Sequence, residues 1–222
     1  MKPLVIYGAG RQGSVVLEIL RAQGGYEVLG FLDDAPTKQG LQQAGVALLG
    51  GMKWLEEITH PPAAVVAIGN NDARMAVAGR LRARGVELIN AVHPSAVVAS
   101  NVTMGTGNVI GPGAILVTGT RLEDDVIVNT AASIDHDSLL CCGAQIAPGV
   151  HTAGCVTVER GAFVGLGAVL GPNVRVGEGT VVGAGAVVLT DLPPRVLAVG
   201  MPARVVRELS GSLDWSLLLG GR

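Results

Sequence analysis

The sequence is poor in aromatic residues. Tryptophan, tyrosine and phenylalanine together make up 3% of the 222 residues, whereas 49% of the residues are hydrophobic and 33 are glycine. The interior must therefore be filled by small and β-branched side chains, because few large rings are available to fill a wide core. This composition favours a repetitive architecture with a narrow cross-section.

An excess of one charge and long hydrophobic runs are also missing. The 16 basic and 18 acidic residues give a formal net charge of -2 and form no long runs of either sign. Nucleic acid is therefore not expected as a partner. The N-terminal apolar stretch LVIY is far too short for a signal peptide or a membrane span. We expect a cytoplasmic protein that does not interact with a membrane.

Cysteine is scarce, with Cys141, Cys142 and Cys155. An odd number of cysteines without C-x-x-C spacing predicts neither a disulfide framework nor a zinc knot. The thiols are interpreted as small buried side chains. The four histidines do not repeat the spacing of a three-histidine zinc site. We therefore predict no metal site and no metal-dependent carbonic anhydrase.

Residues 1–92 alternate apolar strand patterns with helical patterns, which predicts an α/β domain around a buried parallel sheet. The stretch GAGRQG at residues 8–13 has the G-x-G-x-x-G spacing of a dinucleotide-binding turn. Asp33 and Asp34 end the next apolar strand, where such a fold binds a ribose hydroxyl. However, the domain supplies only three or four parallel strands, about half of a dinucleotide-binding fold. A mononucleotide is the ligand that such a half predicts.

A different pattern begins at Val98, where an aliphatic residue or methionine recurs at every sixth position up to Val188. Fifteen of these sixteen positions fit, and Thr152 is the exception. Two residues before each position lies Ser, Thr, Ala or Val, with Asn108 as the exception. This period predicts a β-helix with three flat faces and roughly 18 residues per coil. Glycines that directly follow an aliphatic position, such as Gly165, are expected at the corners.

Several short motifs follow one another along the chain: YGAGRQG, FLDD, AIGNN, HPSA, NTAASIDHD, APGV, VGAGAVV and GMPAR. In this order they resemble the hexapeptide-repeat acyltransferases, and among these the sugar O- and N-acetyltransferases of the sialic acid and bacillosamine type. The resemblance extends from Val5 to about Arg207. It implies a left-handed parallel β-helix, a homotrimer, and acetyl-CoA bound between neighbouring subunits without a metal.

The resemblance divides the chain into three parts. A small Rossmann-like α/β domain that binds a nucleotide sugar occupies residues 1–92, and a left-handed β-helix acetyltransferase domain occupies residues 93–205. Residues 206–222 form a C-terminal tail. The pattern ARVVREL predicts a short helix before it, and Trp215 in the tail is expected to cover a prism end or a neighbouring subunit.

In this family the N-terminal domain holds the nucleotide of a nucleotide-activated sugar instead of NAD. The phosphates are expected over the glycine turn, near the positive end of the following helix. The acidic pair is expected to accept hydrogen bonds from ribose or base. The expected substrate-binding residues are Gly10, Arg11, Gln12, Asp33, Asp34, Gly69 and Asn70.

Acetyl transfer needs a base that takes the proton of the nucleophile and donors that stabilise the developing oxyanion. His136 is the candidate base because a neutral imidazole suits this role near neutral pH. The flanking residues Asp135 and Asp137 are both available to orient the ring and stabilise the imidazolium. The resemblance favours Asp137 as the partner, and it places Asn129 near the acceptor, where it can donate a hydrogen bond. We expect direct attack on the thioester without a covalent enzyme intermediate.

For acetyl-CoA the resemblance implies four binding residues, Gln145, Gly154, Leu166 and Ala184. Many relatives carry histidine where this chain has Gln12 and Gln145. Glutamine can form hydrogen bonds there, but it cannot titrate.

These features predict an acetyl-CoA-dependent N-acetyltransferase that acts on a nucleotide-linked amino-deoxysugar, of the UDP-4-amino-sugar type, in surface-glycan biosynthesis. Two alternatives remain open. One is an O-acetyltransferase of sialic acid or another small hydroxyl acceptor. The other is an NAD- or nucleotide-binding sensor whose β-helix serves as a trimerisation stem.

Overall fold

The computed structural model describes residues 1–35 and 42–210. The N-terminal domain is an α/β unit, as predicted. Its helices are α1 (Arg11–Gln23), α2 (Met52–Glu56) and α3 (Asn71–Ala83). Its strands are β1 (Lys2–Tyr7), β2 (Tyr26–Leu32), β3 (Gln42–Gln43), β4 (Val46–Gly50) and β5 (Ala63–Val66). None of the helices in these described ranges is long and apolar enough to cross a membrane.

The sheet of this domain has the order β3-β4-β2-β1-β5. Strands β4, β2, β1 and β5 run parallel, whereas β3 pairs antiparallel with β4. Since β2 and β5 flank β1 on opposite sides, the carboxyl ends of β1 and β5 form a topological switch point, where α/β sheets bind ligands. Four parallel strands agree with the sequence prediction, although β3 and β4 themselves were not predicted.

The second domain is a left-handed parallel β-helix with three faces. We name one face by the N-terminal domain that covers it and the other two by the character of their outward side chains. The covered face consists of β6 (Ala91–Val92), β9 (Val109–Ile110), β12 (Ile127–Val128), β15 (Gln145–Ile146), β18 (Phe163–Val164) and β21 (Val181–Val182). The apolar face consists of β7 (Val97–Val98), β10 (Ile115–Leu116), β13 (Ser133–Ile134), β16 (His151–Thr152), β19 (Val169–Leu170) and β22 (Val187–Val188). The polar face consists of β8 (Thr103–Met104), β11 (Arg121–Leu122), β14 (Leu139–Leu140), β17 (Thr157–Val158) and β20 (Arg175–Val176).

The six-residue ladder forms the interior of this prism. Each strand pairs with the strand one coil away, as when Ile127 pairs with Gln145. The second residue of each strand points inward, so that Ile110, Ile134 and Leu170 are all 0% exposed. The predicted period and coil length are therefore confirmed.

The corners differ from the prediction. A positive φ recurs at every sixth residue from Gly107 to Gly185, which is three positions before each ladder residue. Gly165 does not have a positive φ and lies one residue after the ladder position; a Cβ atom there would be 2.6 Å from the carbonyl oxygen of Val182. Gly165 is thus required because neighbouring coils approach closely, and the left-handed corners occupy another position of the repeat.

The covered face joins the two domains into one packed unit. Its outward residues Val109 and Ile127 are 2% and 0% exposed. They belong to the same buried cluster as Leu4 and Ile6 of β1. The prism thus supplies part of the core of the α/β domain.

Both predicted domain boundaries differ slightly from the structure. Strand β6 pairs with β9, so the β-helix begins at Ala91 rather than at residue 93. At the other end, ARVVREL is not a helix: Arg204–Glu208 is strand β24, which pairs antiparallel with β23 (Val196–Val199). Adjacent β-branched Val205 and Val206 suit a strand that covers the edge of β23. Trp215 lies outside the residues that the structure describes.

Candidate active site

The predicted base lies on an edge of the prism where the apolar face turns into the polar face. Consecutive coils stack there through backbone hydrogen bonds from Asp137 N to Thr118 O (3.0 Å) and from Cys155 N to His136 O (2.8 Å). We call this line of stacked residues, which includes Thr118, His136 and Gly154, the His136 edge. His136 is thus presented to solvent by a rigid part of the fold.

His136 and Asp137 form the predicted pair. The distance from His136 Nδ1 to Asp137 Oδ2 is 2.9 Å. Because an ionised carboxylate can only accept a hydrogen bond, Nδ1 carries the proton and Nε2 of the neutral ring is free to accept one. The hydrogen bond with Asp137 raises the pKa of His136, and the charges of Asp135 and Asp137 act in the same direction. The arrangement suits a base whose conjugate acid is stabilised by a neighbouring carboxylate.

Gly154 leaves room for the imidazole. It lies one coil after His136, and a Cβ atom at this position would be 2.4 Å from His136 Nε2. Gly154 therefore supports the site because its lack of a side chain leaves room for the imidazole. The acetyl-CoA contact that the resemblance implies would be a second role.

Two inward hydroxyl groups hold the backbone beside His136. In neighbouring coils the corresponding amide donates to a backbone carbonyl, as from Val117 N to Ile134 O at 2.9 Å. The amide of Asp135 instead donates to Thr152 Oγ1 at 3.1 Å, and Thr120 Oγ1 donates to Asp135 O at 3.3 Å. Thr152 is the one position that breaks the aliphatic ladder in the sequence. Its exceptional residue type was the signal for this role.

We predict that Thr152→Val lowers kcat on the order of tenfold to a hundredfold, because loss of the hydroxyl shifts the turn that carries His136. The KM for acetyl-CoA should change little. Steady-state kinetics on both substrates test this. Thr180→Val is the matched control, because Thr180 is also a buried inward threonine and its hydroxyl donates to Pro193 O, away from His136. Equal kcat values for the two variants would contradict a positioning role for Thr152.

Leu166 and Ala184 lie on a different edge, where the covered face turns into the apolar face. Backbone hydrogen bonds from Gly167 N to Pro148 O and from Gly185 N to Leu166 O stack the coils there. We call this line, which includes Pro148, Leu166 and Ala184, the Leu166 edge. Within one chain, the apolar face therefore separates these two predicted acetyl-CoA residues from His136. Asn129 lies on the turn beside the Leu166 edge, where its Oδ1 accepts from Thr130 N at 2.8 Å.

Gln145 is found on the covered face, beneath α3, and is 9% exposed. Its Oε1 lies 3.5 Å from a guanidinium nitrogen of Arg74, which in turn donates to Ile68 O and approaches Gly69 O. The structure thus brings Gln145 close to the predicted substrate turn at Gly69 rather than to Leu166. Arg74 was not predicted as a site residue, since an arginine in a helical pattern is usually expected on the surface.

One of the two predicted acids, Asp33, closes the glycine turn. Ala9 N, within the turn, donates to Asp33 Oδ2 at 2.9 Å, which links the ends of β1 and β2. A Cβ atom on Gly13 would be 2.2 Å from Gly8 O. The third glycine of the G-x-G-x-x-G pattern is therefore required because α1 packs closely against the turn. Gly10 is the N-cap residue of α1, while Arg11 and Gln12 begin the helix.

Asp34 has its own partners. Its oxygens accept from Tyr7 Oη at 2.6 Å and from Met52 N at 2.8 Å. Burial alone would raise the pKa of Asp34, but these two hydrogen bonds and Arg80 hold it below its ordinary value. The carboxylate is therefore ionised at neutral pH, although two hydrogen bonds from the protein already occupy part of its capacity to accept hydrogen bonds from a ligand.

A cleft of about 530 Å³ opens beside these acids, which is within the usual size of small-ligand sites. The residues that line it are Asp33, Asp34, Leu48, Leu49, Gly50, Gly51, Met52, Lys53, Trp54 and Glu57. Residues 48–57 were not predicted as site residues. Beyond the carboxyl end of β5, on the other side of β1, Asn70 Oδ1 caps α3 by accepting a hydrogen bond from Ala73 N at 2.9 Å.

The cysteine interpretation is partly wrong. Cys141 and Cys142 are half-buried, but Cys155 is exposed because it follows Gly154 at a corner of the prism. His151 is also exposed on the apolar face, and its Nδ1 lies 2.7 Å from Ser133 Oγ.

Comparison with known proteins gives a consistent result. Residues 3–81 match the family model described as the PglD N-terminal domain. The chain is 30% identical over 218 residues to GDP-perosamine N-acetyltransferase of Escherichia coli O157:H7, covering 94% of this chain and 98% of that protein.

Two solved structures are similar over nearly the whole chain. One is the acetyltransferase domain of PglB from Neisseria gonorrhoeae in complex with acetyl coenzyme A, with a TM-score of 0.86, 33% identity, and coverage of 92% of this chain and 99% of that one. The other is a mutant of GDP-perosamine N-acetyl transferase from Caulobacter crescentus in complex with CoA and GDP-perosamine, with a TM-score of 0.87, 36% identity, and coverage of 94% and 98%.

Proposed function

This chain belongs to the β-helix sugar N-acetyltransferase family that includes GDP-perosamine N-acetyltransferase, and we propose that it acetylates the amino group of a nucleotide-linked amino-deoxysugar. It is an acetyl-CoA-dependent acetyltransferase. The observation that carries the proposal for the site is the contact of 2.9 Å between His136 Nδ1 and Asp137 Oδ2 on an exposed edge.

In the proposed mechanism the sugar amine attacks the carbonyl carbon of the acetyl thioester. His136 Nε2 takes the proton of the amine as the new C–N bond forms. Asp137 stabilises the resulting imidazolium, and Asn129 donates a hydrogen bond near the acceptor. Collapse of the tetrahedral intermediate breaks the C–S bond, and the thiolate of CoA leaves and takes up the proton.

The nucleotide is proposed to bind at the switch point of the α/β sheet. The first turn of α1 presents backbone amide groups and a positive helix end to the phosphates at Gly10, Arg11 and Gln12. The ribose or base is placed near Asp33 and Asp34, at the mouth of the cleft. Gly69 and Asn70 line the neighbouring strand end.

A substrate panel tests this function. Purified protein is incubated with acetyl-CoA and either a UDP-linked 4-amino-deoxysugar, GDP-perosamine, or sialic acid, and the acetylated product is measured by mass spectrometry. Turnover of a nucleotide-linked amine supports the proposal, and the two nucleotides distinguish UDP from GDP. Turnover of sialic acid alone would support the O-acetyltransferase alternative. Thermal protection by NAD without any turnover would support the sensor.

The pH dependence follows from the raised pKa of His136. The base must be neutral, so kcat should fall as the pH falls through this raised value. In Asp137→Asn the hydrogen bond to a charged carboxylate is lost, and the acidic limb of the kcat profile should move to lower pH. We also expect a lower maximal kcat because the ring is held less well. An unchanged acidic limb would show that Asp137 does not set the ionisation of the base.

We further propose a homotrimer. The outward residues of the apolar face include Val97, Ile115 and Val169, which are 62%, 40% and 42% exposed. Three prisms that turn this face toward a common axis bring the Leu166 edge of one subunit beside the His136 edge of the next. This arrangement would bring Leu166 and Ala184 beside the base of the next subunit, whereas the apolar face separates them from the base of their own chain. A ring of three subunits is also a closed assembly.

Ile115→Lys tests the assembly. A charge on the apolar face should be costly to bury, so the variant is expected to sediment as a monomer and to lose most of its kcat. Thr103→Lys, on the exposed polar face, is the matched control, and its assembly should sediment with the same mass as that of the parent protein. Dissociation with full activity would contradict a site shared between subunits.

A further inference from the structure

We propose that His136, Asp137 and Cys155 form a binding site for a thiophilic divalent cation such as Zn²⁺, and that the bound ion inhibits acetyl transfer. The inhibition, but not the binding, rests on the proposed role of His136 as the base. The site uses a cysteine for which the mechanism has no role.

The three side chains offer a suitable donor set. A ring nitrogen of His136, a carboxylate oxygen of Asp137 and the sulfur of Cys155 all lie within 4.8 Å of one another, and all three residues are exposed. Nitrogen, oxygen and thiolate sulfur are the ligands that Zn²⁺ takes in proteins. Three protein ligands leave a fourth position open to water.

The backbone fixes this proximity. Cys155 lies one coil after Asp137, at the same left-handed corner of the repeat, with φ angles of 60° and 56°. Its amide donates to His136 O at 2.8 Å. In a tetrahedral zinc site the ligand atoms are roughly 3.5 Å apart, so side-chain adjustments of about 1 Å would complete the coordination. Exposed side chains can make such adjustments.

The other two thiols provide a contrast. Burial raises the pKa of Cys141 to about 11 and also raises the pKa of Cys142. A thiol must lose its proton to bind zinc, so these cysteines are weaker ligands near neutral pH. Neither belongs to a group of three potential ligands among the described residues.

A bound ion would stop the reaction by occupying the groups that the base needs. Coordination by the imidazole takes up the lone pair that accepts the proton, or replaces the proton shared with Asp137. Magnesium should not bind, because it prefers oxygen ligands in an octahedral arrangement.

Binding is measured first, without substrate, on tag-free protein titrated with Co²⁺. We expect one Co²⁺ per chain with a cobalt–thiolate charge-transfer band, displaced by Zn²⁺. The band should be absent in Cys155→Ser and unchanged in the control Cys142→Ser. Absence of the band in the parent protein, or its persistence in Cys155→Ser, would overturn the site whatever the role of His136.

Inhibition is measured by quantifying the acetylated sugar, since free CoA thiol would itself bind zinc. We expect Zn²⁺ to inhibit the parent protein and Cys142→Ser reversibly, with recovery on adding EDTA. In Cys155→Ser the metal-free kcat should be retained and the apparent inhibition constant for Zn²⁺ should rise about tenfold or more. Equal sensitivity of both variants would overturn the inhibition. Cobalt binding to the parent protein together with unchanged turnover in the presence of Zn²⁺ would overturn the inhibition too.

Discussion

His136→Ala is expected to lower kcat by about two to four orders of magnitude, because the variant lacks the group that takes the proton of the attacking amine. Binding of acetyl-CoA should be largely intact, since three of the four predicted contacts of the donor, Gln145, Leu166 and Ala184, lie on other parts of the prism. The effect is large because the ring is already held by Asp137 at 2.9 Å and supported by a turn that Thr120 and Thr152 fix from inside.

Two measurements make this expectation specific. The kcat of His136→Ala is compared with that of His60→Ala, because His60 is an exposed histidine of the N-terminal domain and should be dispensable. The affinity for acetyl-CoA is measured by calorimetry on the same preparations. Undiminished turnover in His136→Ala would remove the assignment of the base, and loss of acetyl-CoA binding would point to a structural role.

Arg74→Ala is expected to lower the free energy of unfolding by about 3–5 kcal/mol, because it removes a buried charged group from a largely buried network. Arg74 is 0% exposed. Its guanidinium donates to Ile68 O at 3.0 Å and to Asn71 Oδ1 at 2.8 Å within the α/β domain. It also donates to Asp125 O at 3.0 Å and to Gly143 O at 2.9 Å on the prism.

Removal would leave these acceptors buried without donors at the joint between the two domains. Burial lowers the pKa of Arg74 to about 10, so the group stays protonated at neutral pH. Urea denaturation measures the change. Arg80→Ala is the matched control on the same helix: its ion pair with Asp34 is 3.4 Å long and exposed, so a loss below about 1 kcal/mol is expected.

If Arg74→Ala does not fold, Arg74→Lys provides the test. Lysine keeps the charge but cannot direct five donors in a plane, so it should fold with reduced stability. Stability equal to that of the parent protein in Arg74→Lys would mean that the hydrogen-bond network contributes little.

The outline of the site was predictable from local features. His136 and Asp137 are neighbours in sequence, so their contact needed only a turn that exposes both. Thr152 could have been recognised as functional, because it alone replaces an aliphatic residue in the ladder. Cys155 follows Asp137 by one coil of the predicted period, which places it at the same corner, but the thiols were interpreted by composition rather than by register.

The sequence by itself determined the two architectures, because hydrophobic periods of six and of 3.6 residues are local and repeat often enough to exclude other patterns. It also predicted the contact between His136 and Asp137, for which we propose the role of the base and its partner. Tertiary structure alone decided which face of the prism the N-terminal domain covers and that Arg74 is buried there. It also decided that Gln145 lies on the covered face beneath α3, whereas Leu166 lies on the Leu166 edge. These facts depend on contacts between segments far apart in the chain, whose energies come from matched surfaces and leave no period in the sequence.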